Sequence, residues 1–540
     1  MIKSIGELMS DDIQAQRDQN FLIYYDRHGK RTETSYADFI ERVGCVVQFL
    51  DKQGIRRGDR IITLMQNKVE QVTIYFAAWA MGVCVAPVNL AESDDRIRFI
   101  VEQSMARAIF VQSEASNKVK KLLMRNQVET SVFSVEADDS RPLFAQAGRE
   151  WKALLNSSID DEALIVYTSG TTGKPKGVIL KQKNLLYDAE AIAEWHQLQQ
   201  GIRMMCVLPI HHVNGIVVTL VTPFFCRGTV ILNERFSVSY FWERIDREQV
   251  QIVSVVPTLL EFLLEVDKEL QRVSFTSLRH IICGAGPLLV ETALSFEKKF
   301  NVPIIHGYGL SETTCYSSFL PIDLSDEERR VWLSKYGFPS IGTPIKHNQM
   351  AILDEHGTKQ AEGKRGEIAI RGETVMEAYD KRADANAEAF RHGGGWFMTG
   401  DEGFYKNDQH GRPFFFITGR IKELIIRGGI NLSPLEIDEV LKKHPKVQHA
   451  LAVPFENRFY GEEIAAYIVP KEGMTVTESE LIQHCAQRLP FIKQPKVFIF
   501  GDELPYTATG KPKRLQLKEQ LKKQLSVHRN IQFRAENADR

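Results

Sequence analysis

At 540 residues, with 43% hydrophobic and 25% charged side chains, the chain is too long for one core and is expected to fold as two or more domains. A formal net charge of -1 gives no electrostatic reason to expect nucleic acid as the main partner, so the partners are expected to be small molecules. Seven cysteines without a CxxC pair fit neither a disulfide framework nor a zinc site, and the opening MIKSIGELMSDDIQAQRDQN does not read as a secretory signal, which leaves a reducing cytoplasm as the expected setting.

In chain order, Ser35 begins an S-x-x-D box, and Phe39, Ile40, Val43, Val46, Val47 and Leu50 follow at helical spacing, predicting an amphipathic helix over 35–53 that Gly54 ends. A strand-like run at 60–65, a helical stretch at 69–81 and a second short run at 83–88 predict α/β layers. The same rhythm returns at 163–167, 250–256, 279–283 and 302–305. Residues 215–225 form the longest nearly apolar run, well short of the roughly 20 needed to cross a bilayer, and read as a buried element. From about Met350 the runs alternate between Gly- and Asp-rich turns, predicting a β-rich subdomain. A compact βα pattern after Gly419 predicts a separate small domain. The division expected is a large α/β domain over 1–419, a small mobile α+β domain over 420–514, and a polar helical or disordered tail over 515–540, where Leu517, Leu521 and Leu525 recur at spacing four.

The segment Tyr167 to Leu180, YTSGTTGKPKGVIL, concentrates groups suited to polyphosphate. Glycines such as Gly170 and Gly173 let backbone N–H groups approach oxygens, Thr168, Ser169, Thr171 and Thr172 add hydroxyl donors, and Lys174 and Lys176 add positive charge. It is not a Walker A loop, because Pro175 follows Gly173-Lys174 and Thr168 stands where the first glycine would be. The plain alternative is a flexible surface turn.

At this segment the chain resembles the adenylate-forming superfamily of acyl-CoA synthetases, aryl-CoA ligases, luciferases and peptide-synthetase adenylation domains, and the likeness covers roughly residues 20 to 515 with the motifs in the family's order. The resemblance implies that residues 168–176 form the mobile loop over the β- and γ-phosphates. It implies that His212 of PIHHVNG lies beside the acyl pocket and the α-phosphate, whereas adjacent histidines alone read as a turn or as buried groups. Gly284, Ala285 and Gly286 match the strand end that receives adenine. In HGYGLSET, it implies that Tyr308 stacks on adenine beside Gly309, that Ser311 contacts the α-phosphate and that Glu312 is the magnesium ligand; an aromatic face suits adenine and a hard oxygen suits magnesium. Asp401 of WFMTGDEG, a carboxylate able to accept from both hydroxyls of a diol, is implied for the ribose, with Arg420 reaching ribose and phosphates. Lys422 falls at the hinge, Gly428 and Gly429 at the border of the pantetheine tunnel, and Lys511 of PYTATGKPKR at the lysine that contacts the substrate carboxylate during adenylation.

The function so implied is an ATP- and magnesium-dependent acid-thiol ligase that makes an acyl-AMP, releases pyrophosphate and passes the acyl group to coenzyme A. The rivals are an adenylation enzyme loading a carrier protein and a catalytically silent nucleotide-binding module. Phe236 and Ser237 stand where an amino-acid activator has an ammonium-pairing Asp, which speaks against an α-amino acid substrate. Glycine at position 307, near which acetate-specific relatives place tryptophan, implies a pocket extending beyond two or three carbons. A homodimer is left open.

Overall fold

The computed structural model describes residues 3–10, 16–125, 130–135, 151–168, 175–265, 275–506 and 512–533. The helix expected from the Ser35 box runs Tyr36–Lys52; Ser35 Oγ accepts the Asp38 N–H at 3.1 Å, and Phe39, Val43, Val46, Val47 and Leu50 form its buried stripe. Gly54, at φ 73°, supplies the left-handed residue after it.

Among the described residues the strands form three sheets. The largest has thirteen strands, and its centre is parallel: Ile304–Tyr308, His280–Cys283, Ile252–Val255, Arg203–Cys206, Thr229–Asn233 and Asn20–Tyr25 lie side by side in that order. Their short apolar runs are buried, as strands covered on both faces require. The β-rich stretch expected from about Met350 is present as antiparallel strands, but it is hydrogen-bonded into this same sheet through Ser318–Phe319 and Ser340–Pro344. Its last pair, Phe397–Asn407 and Pro413–Arg420, sets Asp401 opposite Arg420. A seven-stranded sheet carries Glu162–Thr168 and Lys176–Lys181 as antiparallel neighbours.

The third sheet, with its own core, is built from Ile425–Arg427, Ile430–Leu432, Val447–Asn457, Gly461–Pro470 and Val497–Phe500. The helix Arg514–Leu525 packs Leu517, Leu521 and Leu525 onto it beside Leu451, Val453 and Phe455. The four-residue spacing, which predicts a helix, is thus the narrow buried stripe of a docked helix, and Phe533 packs against the same core.

The apolar run at 215–225 is a buried π-helix, Asn214–Val221, continued by Thr222–Phe225, with the Thr222 hydroxyl donating to the Val217 carbonyl at 2.8 Å. Gly215 is needed there because a Cβ would meet the Pro209 carbonyl oxygen at 2.4 Å. No helix among the described residues is long and apolar enough to cross a membrane.

Candidate active site

The strand ends of the two larger sheets bring the motifs together. Thr168 closes the strand Glu162–Thr168, its hydroxyl 3.5 Å from the Lys176 carbonyl in the facing strand. The loop residues Ser169, Gly170, Thr171, Thr172, Gly173 and Lys174 lie outside the described residues, as does Lys511. Lys176 itself is placed, its Nζ 4.6 Å from the centre of the Tyr379 ring, a distance at which an ammonium is attracted to the π face. The Tyr379 hydroxyl donates to Glu312 Oε1 at 2.9 Å, and burial followed by the Glu312 charge pushes the phenol pKa up. Glu312 sits in a single 3-10 turn, Ser311–Thr313, with its carbonyl accepting the Met376 N–H at 2.8 Å. Tyr379 therefore links Lys176 to Glu312.

Asp401 is buried, and both carboxylate oxygens are engaged: Oδ2 accepts from the Tyr308 hydroxyl at 2.5 Å and Oδ1 pairs with Arg420 Nε at 2.8 Å. Burial first and the Asp401 charge second raise the Tyr308 pKa, while Asp401 raises that of Arg420. Three separate motifs, at 306–313, 396–403 and 417–420, thus converge on one carboxylate. Each oxygen keeps a lone pair, so the group can still accept from a diol.

The rings of His211 and His212 lie 4.5 Å apart, and burial first and His212 second hold His211 well below its usual pKa, so it is neutral. Two residues after His212, Asn214 joins a buried relay: Ser254 Oγ donates to Asn214 Oδ1 at 2.8 Å, and Asn214 Nδ2 donates to the Tyr316 hydroxyl at 3.1 Å. Tyr316 fills the interior side of both glycine motifs. A Cβ on Gly284 would lie 2.6 Å from Tyr316 Oη, and one on Gly307 would lie 2.7 Å from its ring and 2.4 Å from Phe319. A Cβ on Gly309 would lie 1.7 Å from the Cys315 carbonyl oxygen. The glycine at 307 therefore opens no extra length of pocket: the space beside it holds two aromatic rings, which corrects the expectation drawn from that residue. Tyr316 is aimed there by Thr314, whose φ of 66° and ψ of -70°, with Cys315 N–H on Thr313 O at 2.8 Å, form a strained γ-turn. The Thr314 hydroxyl on Thr374 O at 2.6 Å and the buried Asp188 Oδ2 accepting the Tyr316 N–H at 3.2 Å hold the turn.

Ala285, at φ 61°, and Gly286 lead out of that strand into a cavity of about 90 Å³ between the large and small sheets. Pro257 and Gly286 line one side of it; Lys442, His449, Tyr506 and Pro512 line the other. Tyr506 and Pro512 pair with each other, so these two described residues of the terminal motif share the cavity with the strand end at 284–287. Gly428 and Gly429, both at positive φ, form the two-residue turn between Ile425–Arg427 and Ile430–Leu432; they are exposed, with nothing within 4 Å of either Cβ position. Lys422 lies exposed in the 3-10 turn Ile421–Glu423 that leads into the small sheet. A larger surface hollow of about 420 Å³, lined by Glu190, Gln200 and Phe225, shares no residue with these motifs.

Tyr379, Tyr316, Asn214 and Ser254 were missed by sequence reasoning. Asn214 alone carried a signal, since it lies inside PIHHVNG.

The profile of the family described as AMP-binding enzyme matches residues 10–380, and that of the AMP-binding enzyme C-terminal domain matches residues 436–511. The chain is 34% identical to a sulfoacetate–CoA ligase of Cupriavidus necator, over 86% of this chain and 88% of the relative. It is 31% identical to an oxalate–CoA ligase of Arabidopsis thaliana, over 89% and 92%. An o-succinylbenzoate CoA synthetase of Bacillus subtilis, solved in complex with its acyl-adenylate intermediate, superposes with a TM-score of 0.82 at 28% identity, covering 95% of this chain and 97% of that one.

Proposed function

The chain belongs to the AMP-binding enzyme family, and on that premise we propose that it is an acid–CoA ligase for short carboxylic acids, working through an acyl-AMP. The convergence of three distant motifs on Asp401 carries the reading, because it builds a ribose-sized acceptor beside a buried aromatic and an arginine.

In the first step an oxygen of the acid forms a bond to the α-phosphorus of ATP, and the bond to pyrophosphate breaks. Asp401 and Arg420 hold the ribose, Tyr308 flanks the adenine with Gly284, Ala285 and Gly286, and Lys176 with the loop at 168–174 holds the outer phosphates. His212, Ser311 and Lys511 are assigned to the reacting carboxylate and α-phosphate. This chemistry needs positioning and charge compensation more than proton transfer. Glu312, with one oxygen taken by Tyr379 and no cluster of three His, Cys, Asp or Glu side chains among the described residues, suits a hard ion held mainly by phosphate oxygens and water. Magnesium bound there supplies charge neutralisation for the phosphates. In the second step a thiolate attacks the acyl carbon and AMP leaves with the former carboxylate oxygen. The placement of Tyr506 and Pro512 beside 284–287, with Gly428 and Gly429 turned to solvent, supports this orientation as the one for adenylation. Thioester formation then requires the small domain to turn about Lys422.

Two observations support a short acid. The interior side of Gly284 and Gly307 is filled by Tyr316, locked by Asn214 and Ser254, and two relatives are named for the small acids sulfoacetate and oxalate. ATP–pyrophosphate exchange over a panel running from acetate, oxalate and sulfoacetate to decanoate and aryl acids tests this, with thioester detection when CoA is added. Exchange is expected with short acids alone, and Tyr316→Ala should extend it to longer ones. Equal exchange with decanoate in the wild type contradicts the short pocket; no exchange with any acid contradicts the ligase.

A further inference from the structure

The helix Val290–Phe300 begins just after the 284–287 strand end, and its N-cap residue is Leu289, which has no side-chain atom able to accept from the first amides. Those amides are capped from elsewhere. The Val290 N–H donates to Glu439 Oε2 at 3.1 Å and the Glu291 N–H to Glu439 Oε1 at 3.3 Å. Glu439 belongs to the helix Pro434–Lys442 of the small domain, 149 positions away from Val290, and is buried. Near the end of the same helix Lys442 pairs with Glu261 of the helix Pro257–Leu264, and the Thr292 hydroxyl donates to that carboxylate at 3.3 Å.

We propose that Glu439 is a positioning residue that holds the small domain in the adenylating orientation by supplying the missing N-cap of Val290–Phe300. The assignment of this orientation rests on the ligase reading above. A carboxylate at a helix N-terminus satisfies bare donors and complements the helix dipole. When the small domain turns, the two amides lose that partner and the helix has no residue of its own to replace it. The cap therefore stabilises one orientation and not the other, and Lys442 with Glu261 marks the same docking at a second point. Neither Glu439 nor Lys442 touches ATP or the acid in this reading, so their effect is confined to the balance between half-reactions.

Two rates and one protection measurement on the full chain decide the matter. Glu439→Ala should lower ATP–pyrophosphate exchange about tenfold while conversion of supplied acyl-AMP and CoA to thioester stays within about twofold of wild type. Glu439→Gln, which keeps an accepting oxygen, should fall between. Leu289→Ser gives the helix its own cap and should shift the balance in the same direction with the fold secured. Hydrogen–deuterium exchange should show the Val290 and Glu291 amides protected in the wild type and exposed in Glu439→Ala. Equal losses in both half-reactions, unchanged pyrophosphate exchange, or undiminished amide protection in Glu439→Ala would overturn the proposal. A wild type that exchanges pyrophosphate with no acid would instead defeat the ligase reading, and amide protection would still report on the cap.

Discussion

At Asp401 one carboxylate serves two purposes. It is the group proposed to accept from a ribose, and it also neutralises Arg420 and receives the buried Tyr308 hydroxyl. From sequence alone, its loss should weaken nucleotide use and leave the fold untouched. The geometry adds a stability cost, because Asp401→Ala strands a buried phenol and a partly exposed guanidinium, worth roughly 1–3 kcal/mol. The expected outcome is a lower melting temperature together with a raised KM for ATP, whereas Asp401→Asn should recover much of the stability and little of the ATP affinity. An unchanged KM for ATP in both variants would remove Asp401 from the nucleotide site. Asp401, Tyr308 and Arg420 were singled out because their motifs resemble those of a known family, and the structure brings the three side chains together. Tyr379, Tyr316 and Glu439 were not: Tyr379 meets Glu312 across 67 positions and Tyr316 meets Asn214 across 102, and a contact of that kind leaves no local pattern.

Elements with their own punctuation were read with little error. The helix Tyr36–Lys52 carries its cap in Ser35, and the short β-branched runs at 252–255 and 280–283 became strands. What stayed open were features decided by a partner. Nothing local says that the antiparallel strands after Ser340 continue the parallel sheet, or that three leucines in a polar segment find a sheet to cover. The turn proposed as the hinge has a conformation that makes a directional prediction. Arg420 is extended, at φ -76° and ψ 129°, and Ile421 opens the 3-10 turn. Proline at the first helical position suits that arrangement, and an extended residue suits the place before it. Ile421→Pro should therefore hold the present orientation, keeping pyrophosphate exchange and losing thioester formation. Lys422→Pro asks Ile421 to leave its helical conformation, so exchange should suffer and thioester formation from supplied acyl-AMP should be spared. The two half-reactions measured side by side check both; losses in the same half-reaction for the two variants would contradict a hinge at this turn.

For the molecule as a whole, two larger sheets carry the segments proposed for the nucleotide and the acid, and a third sheet with its own core carries the glycine turn and the described ends of the terminal motif, Tyr506 and Pro512. The function proposed above asks both segments to act at one site in turn, so that proposal divides the chemistry in time by rotation of the small domain. Both steps share one oxygen atom: the carboxylate oxygen that attacks the α-phosphorus stays on phosphorus when the thiolate expels AMP. Following that atom tests the account most directly. A short acid found active in the exchange screen, labelled with oxygen-18 in its carboxylate, is turned over with ATP, magnesium and CoA, and the products are weighed by mass spectrometry. One labelled oxygen in AMP, unlabelled pyrophosphate and an acyl-CoA retaining the other label are the predicted result. ADP with labelled inorganic phosphate, or AMP without label, would contradict an acyl-AMP intermediate.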